Sequence, residues 1–353
     1  MKIAQIPPLY ESIPPKYYGG TERVVACLCD ALADLGHEVT LFAAEDAKTK
    51  ARLVITRDQS IRLDPAPLKS DLGAHLATLH EVKRRVAQFD ILHFHLDVLH
   101  FPMFDLHAHK CVTTLHGRLD LKDLHQCFER WPGFGLVSVS DSQRGPMPDV
   151  NWLATVHHGL AAAPWSAPPL AAAPYLAFLG RISPEKGCDA AIRIAKRAGI
   201  PLRIAAKIDN ADRAYFDSVV RPLLDDPLIE FVGEIGDWQK AEFFRGARAL
   251  LFPINWPEPF GLVMIEAMAH GTPVIAYDRG AVSEVLRDGV TGFIVNSEDE
   301  ALLAIERAGQ LDRNLINACF ERHFTAETMA RAYVSVYGSL IRPRRLTRSE
   351  GLP

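Results

Sequence analysis

The chain has 353 residues, 48% of them hydrophobic and 23% charged, a globular composition that argues against a disordered or fibrous chain and suits two domains of similar size. Against 43 Asp and Glu stand 39 Lys and Arg, a net charge of -4, so there is no basic field of the kind nucleic acid requires and nucleic acid is not an expected partner. The apolar stretches are broken by charge or proline before they reach the length that spans a bilayer.

Met1 to Ile6 runs straight into Pro7-Pro8, which leaves no room for the apolar region of a secretory signal, and a cytoplasmic location is expected. Lys2 to Ile6 reads as a first strand, Thr21 to Leu35 as a helix, and Glu38 to Ala43 as a second strand. Thr21 and Glu22 supply a cap and an acidic first turn, and Gly36 ends the helix. Further strands are predicted at Ile91 to His95, Cys111 to Leu115 and Gly135 to Val139. This βαβ grammar predicts a doubly wound parallel sheet for a first domain over residues 1–163.

Residues 164–174 are Ala- and Pro-rich and predict an interdomain linker. The same grammar restarts in a second domain over residues 175–324. Its strands are predicted at Tyr175 to Leu179, Leu202 to Ala206, Ile229 to Val232, Ala249 to Phe252, Pro273 to Ala276 and Gly292 to Val295, with a helix from Asp189 to Arg197. A last helix over residues 325–340 places Met329, Tyr333, Val336 and Tyr337 on one face and is expected to pack back on the first domain. The basic tail, Arg342 to Arg348, reads as a solvated terminus rather than a membrane anchor. The six cysteines are scattered and read as free thiols.

Gly19-Gly20 lies between the first strand and its helix, where a backbone without side chains lets an anion approach the helix N-terminus. In the second domain Gly180-Arg181-Ile182-Ser183-Pro184-Glu185-Lys186-Gly187 directly follows a strand, so that Arg181 and Lys186 flank one loop and both suit a pyrophosphate. A helix is predicted to begin near Gly261. Glu258 lies in the loop before it and Glu266 within it, two acceptors for the hydroxyls of a polyol. Glu266 sits among apolar residues, and a buried carboxylate there needs a partner. His93, His95, His100, His107, His109 and His116 crowd one region, but no H-E-x-x-H pattern or bridging carboxylate accompanies them, and no metal is assigned.

With these stretches, and with Tyr18-Gly19-Gly20-Thr21-Glu22, Thr114-Leu115-His116-Gly117, Ser138-Val139-Ser140, Gly280-Ala281-Val282-Ser283-Glu284 and Asp288-Gly289-Val290-Thr291-Gly292, the chain resembles the retaining glycosyltransferases of the GT-B fold, family 4, the group 1 or glycogen synthase-like transferases. The resemblance spans nearly the whole chain and implies an α/β architecture of two Rossmann-like domains facing each other across a cleft. It implies transfer of a hexose from a nucleoside-diphosphate sugar, with UDP preferred, to an acceptor with retention of anomeric configuration. The nucleotide sugar is then a co-substrate, and no cofactor or metal is expected. By the same resemblance Arg181 and Lys186 hold the donor diphosphate and Glu266 the ribose hydroxyls. Glu258 and the backbone of Phe260, Gly261, Leu262 and Val263 meet the sugar and phosphates. Gly19 and Gly20 approach from the opposite domain, and His116 lies beside the transferred sugar, orienting it and stabilising developing charge. The catalytic set is then His116, Arg181, Lys186 and Glu258.

Two positions depart from the family pattern: His157-His158-Gly159 stands where asparagine often precedes the glycine, and Gly280-Ala281 where two glycines are common. The rival readings are an epimerase or phosphorylase of the same fold, a noncatalytic nucleotide-sugar sensor, and a metal hydrolase built on the histidines. The acceptor, whether glycan, lipid or small molecule, is not readable from Glu11 to Tyr17 or Leu96 to Leu106. Peripheral contact with a membrane has no support in the sequence.

Overall fold

The computed structural model describes residues 1–162 and 175–341; the predicted linker over residues 164–174 and the basic tail lie outside the described residues. The first domain carries β1 (Lys2–Ile6), β2 (Glu38–Ala44), β3 (Arg52–Arg57), β4 (Ile91–Phe94), β5 (Cys111–Thr114), β6 (Gly135–Ser138) and β7 (Trp152–Thr155). They form one sheet in the order β3-β2-β1-β4-β5-β6-β7. The second carries β8 (Tyr175–Arg181), β9 (Leu202–Lys207), β10 (Ile229–Gly233), β11 (Ala247–Phe252), β12 (Val274–Tyr277) and β13 (Gly292–Val295), in the order β10-β9-β8-β11-β12-β13. The pairings within both sheets are parallel. In each sheet the strand order reverses beside its first strand, between β1 and β4 and between β8 and β11. Such reversals open a crevice at the carboxyl ends of the strands, where open α/β sheets take ligands.

The predicted strands are present with ends shifted by at most two residues. Two strands were not foreseen, β3 and β7. Both are edge strands whose residues are half-buried or exposed, so neither shows the apolar run that marks an inner strand. The helix Asp71–Arg84, capped by the Ser70 hydroxyl accepting from Gly73 N at 3.0 Å, was also missed. Only His75, Thr78, Leu79 and Val82 of it are buried, too thin an apolar stripe to stand out.

The last helix, Ala326–Ile341, packs against the Gly20–Asp34 helix and sends Met329, Tyr333 and Tyr337 into the first domain's core. The chain returns to that domain beside Gly159: Leu160 N donates to Phe324 O at 2.9 Å and Ala326 N to Leu160 O at 2.7 Å. A Cβ on Gly159 would collide with the Thr325 carbonyl, so the close crossing requires glycine there. All six cysteines are free. Among the described residues no helix is long and apolar enough to cross a membrane.

Candidate active site

The carboxyl ends of the two sheets face each other across a cavity of about 630 Å³. On the second-domain wall, β8 ends at Arg181, and the loop that follows turns through Gly187, whose backbone is left-handed (φ 68). A Cβ at Gly187 would strike the Pro253 carbonyl. The two glycine features fix how closely the loop lies against the strand ends, which brings both of its cations to the cavity.

Both cations are paired with carboxylates. Arg181 lies 3.2 Å from Glu185, 3.4 Å from Asp212 and 3.9 Å from Asp209. Lys186 pairs with Glu258 and stands 5.0 Å over the ring of Trp256, whose Nε1 donates to the same carboxylate at 2.9 Å. Lys207, which sequence reasoning missed although it ends β9 at the ligand-facing edge, lies 3.1 Å from Asp209 and 3.8 Å from Glu11 of the first domain. Each of the three cations is thus held against carboxylates at the cavity rather than standing as bare charge.

Two helix N-termini point into the same space. The Gly20–Asp34 helix begins at the Gly19-Gly20 pair and the Leu262–Ala269 helix begins after Gly261 (φ 83), and neither has a side-chain cap. The N–H groups at a helix start lack intrahelical partners unless the turn tightens, as it does at Met264, whose N–H donates to Gly261 O at 2.9 Å. A Cβ on Gly20 would come within 3.3 Å of Leu262 Cδ1, so the two helix starts meet across the cleft. Gly19, Gly20, Phe260, Gly261, Leu262 and Val263 all line the cavity.

Glu266 also lines it, and has the partners its burial demands: it accepts from Lys240 Nζ at 2.6 Å, with Arg23 Nε at 3.6 Å. Arg23 comes from the first domain and pairs as well with Asp237, so this cluster ties the two domains together. A second tie explains the Gly280 to Glu284 motif. Glu284 accepts from the backbone N–H groups of Asp141 and Ser142 at 2.8 and 2.7 Å. A Cβ at Gly280 would strike the Glu258 backbone, whereas Ala281 is accommodated and its N–H donates to Glu258 O at 2.9 Å.

Part of the first-domain wall is a cluster of imidazoles, beside Tyr10, Arg62 and Asp97. His116 Nε2 lies 2.9 Å from His95 Nδ1, and the His116 ring stacks on His158 at 5.1 Å. Burial pushes His116 down from 6.5 to about 3 and holds His93, His95 and His158 well below the usual histidine range. Burial thus keeps His116 a neutral imidazole on the cavity wall. The histidine cluster also divides. His93, His95 and His100 have hydroxyl, amide or imidazole partners. His107 and His109 precede β5, at the opposite end of that strand from His116. No group of metal-binding side chains occurs among the described residues.

Sequence reasoning also passed over Tyr10, Arg62, Asp97, Trp256 and Lys240, all of which line the cavity. Asp97 carries the one left-handed backbone among non-glycine residues described (φ 47). The only signal in the sequence was its place just past a strand end.

Residues 168–312 match the family model described as glycosyl transferases group 1, and residues 18–142 match the one described as glycosyltransferase family 4. The chain is 27% identical to a phosphatidyl-myo-inositol mannosyltransferase of Mycolicibacterium smegmatis, over 90% of this chain and 86% of that protein. Among solved structures it is similar to AviGT4, a glycosyltransferase involved in avilamycin A biosynthesis, with a TM-score of 0.74 and 25% identity over 96% of this chain and 98% of the other. The sucrose-phosphate synthase of Thermosynechococcus elongatus shares the fold, with a TM-score of 0.75 and 20% identity over 96% and 98% of the two chains. Two facing parallel-sheet domains, two family models that between them cover most of the chain, and a glycosyltransferase of matching fold along its full length agree: the chain belongs to the GT-B glycosyltransferases of family 4.

Proposed function

We propose that this glycosyltransferase moves a hexose from a UDP-sugar to a hydroxyl of its acceptor, with retention at the anomeric carbon and without a divalent metal. The observation that carries the reading is the convergence of Arg181, Lys186 and two uncapped helix N-termini on one cavity. A nucleoside diphosphate leaves with growing negative charge, and fixed cations and backbone N–H groups neutralise such charge without reorganisation. The bond from the anomeric carbon to the diphosphate oxygen breaks, and its electron pair goes to that oxygen. The acceptor oxygen forms the new bond on the same face, and its proton passes to the departing phosphate.

In this reading Arg181 and Lys186 take the diphosphate, Glu266 accepts from the ribose hydroxyls, and Glu258 with the backbone from Phe260 to Val263 meets the sugar. Gly19 and Gly20 let the opposite domain close on the phosphates, and His116 contacts the transferred sugar. The base is assigned to uracil on family likeness. The acceptor is written only as a hydroxyl compound; the named mannosyltransferase relative acts on an inositol lipid by its name, which makes inositol derivatives the first acceptors to try.

A thermal-shift screen of UDP-, GDP- and ADP-sugars tests the donor. A ligand at a hundred times its dissociation constant adds about 2.7 kcal/mol of stability. A shift with UDP-glucose or UDP-galactose is expected. A shift confined to a GDP- or ADP-sugar would overturn the base, and no shift with any of them would overturn the donor reading.

A further inference from the structure

A line of buried hydrogen bonds runs from the last helix to His116. Tyr333 Oη lies 2.8 Å from Thr114 Oγ1, which lies 2.7 Å from His93 Nε2. His93 Nδ1 is 2.8 Å from Tyr337 Oη, and the Gln5 amide nitrogen donates to that hydroxyl at 3.3 Å. Gln5 Oε1 lies 2.9 Å from His95 Nε2, and His95 Nδ1 lies 2.9 Å from His116 Nε2. Gln5, His93, Thr114 and Tyr337 are wholly buried, and the line ends at His116 Nδ1, a buried nitrogen with no partner.

Two directions satisfy such a line, because each hydroxyl both donates and accepts and each neutral imidazole donates from one nitrogen only. With the Gln5 amide as placed, Oε1 accepts from His95 Nε2–H. His95 Nδ1 is then bare and must accept from His116 Nε2–H, which leaves His116 Nδ1 as a lone pair. Turning the Gln5 amide reverses every bond and leaves His116 Nδ1 carrying an unpaired N–H. A buried N–H without a partner is rarer in folded proteins than an under-used acceptor, which agrees with the first direction.

We infer that Tyr337, Gln5 and His95 are positioning residues that hold His116 in its Nε2–H tautomer, so that Nδ1 is kept as an acceptor for a hydroxyl proton of the bound sugar. The contact with sugar rests on the proposed function; the tautomer does not. The last helix, which returns from the end of the chain to the first domain, thereby reaches the ring through Gln5 and His95.

Nitrogen-resolved NMR of histidine-labelled protein reads the tautomer without any substrate. In the ligand-free wild type His116 should be protonated at Nε2 and bare at Nδ1. Tyr337→Phe removes one hydroxyl and little else, and Gln5→Leu removes the amide. Each should populate the Nδ1–H form, and each should lower kcat by about tenfold, the rate equivalent of roughly one hydrogen bond, with donor affinity nearly unchanged. A wild-type His116 protonated at Nδ1 overturns the inference whether or not the variants fold, and so does an unaltered tautomer in folded Tyr337→Phe. A correct tautomer together with no donor binding would instead count against the proposed function and leave the relay standing.

Discussion

On the second-domain wall of the cleft, Arg181, Lys186 and Lys207 each lie against carboxylates, whereas the facing first-domain wall presents imidazoles that burial keeps neutral. The contrast follows from what each wall can desolvate. A strand-end loop half open to water keeps charged pairs at little cost, while histidines packed among Phe and Tyr rings lose their protons instead. Under the proposed function it would also sort a ligand that is anionic at one end and a polyol at the other, the diphosphate meeting the ion pairs and the sugar hydroxyls the neutral hydrogen-bonding groups.

The comparison breaks first if the charged wall proves dispensable. Arg181→Ala and Lys186→Ala should each lower turnover by about 100- to 1,000-fold, the usual cost of removing one preorganised donor from a developing charge. Because both serve one diphosphate, the double variant should lose less than the product of the single losses, as steady-state kinetics of the three proteins will show. Near-normal turnover in either single variant would remove that cation from the site.

A smaller effect is expected at Glu266, which belongs to the charged wall but also holds Lys240 and Arg23. Glu266→Ala should weaken donor binding by about 1.5–3 kcal/mol, the loss of a hydrogen bond involving a charged group, in calorimetric titration. Arg23 and Lys240 keep Asp237 as a partner at that position, so the fold should survive. Unchanged affinity in a folded variant would take the ribose contact away from Glu266.

The neutral wall predicts a stability profile. His116 falls from 6.5 to about 3 on burial, so below pH 6.5 the unfolded chain binds a proton that the folded chain refuses. Its contribution is complete above that pH and is lost as the pH falls toward 3, roughly 2 kcal/mol between pH 7 and pH 5 for this residue alone. Melting temperatures should drop over that interval, and less steeply in His116→Gln. A flat profile from pH 7 to pH 5 would contradict a neutral wall.

The two walls were also unequally legible in the sequence. The charged loop is contiguous: two glycines enclosing two cations within eight residues, directly after a strand, make it a candidate anion site before any folding. Glu258, Glu266 and the helix start at Gly261 were readable for the same reason. The neutral wall is assembled from afar, since Gln5 and Tyr337 are separated by 332 positions. The expected packing of the last helix foretold its buried face but not that its two tyrosines carry hydrogen bonds toward the cleft. His93 and His95 lie two residues apart in the sequence, yet their pairing with Thr114, Gln5 and His116 depends on register between strands, which spacing does not encode. Edge strands β3 and β7 escaped because half-exposed backbone leaves no apolar signature.

The most direct test asks whether the charged wall suffices for the leaving group. Transfer is measured with the donor found by the binding screen, after exhaustive EDTA treatment and again after adding Mg²⁺, Mn²⁺ or Zn²⁺. If Arg181, Lys186 and the two helix N-termini neutralise the diphosphate, turnover after chelation should equal that of untreated protein and none of the three ions should raise it. Activity abolished by chelation and restored by one ion would contradict the account.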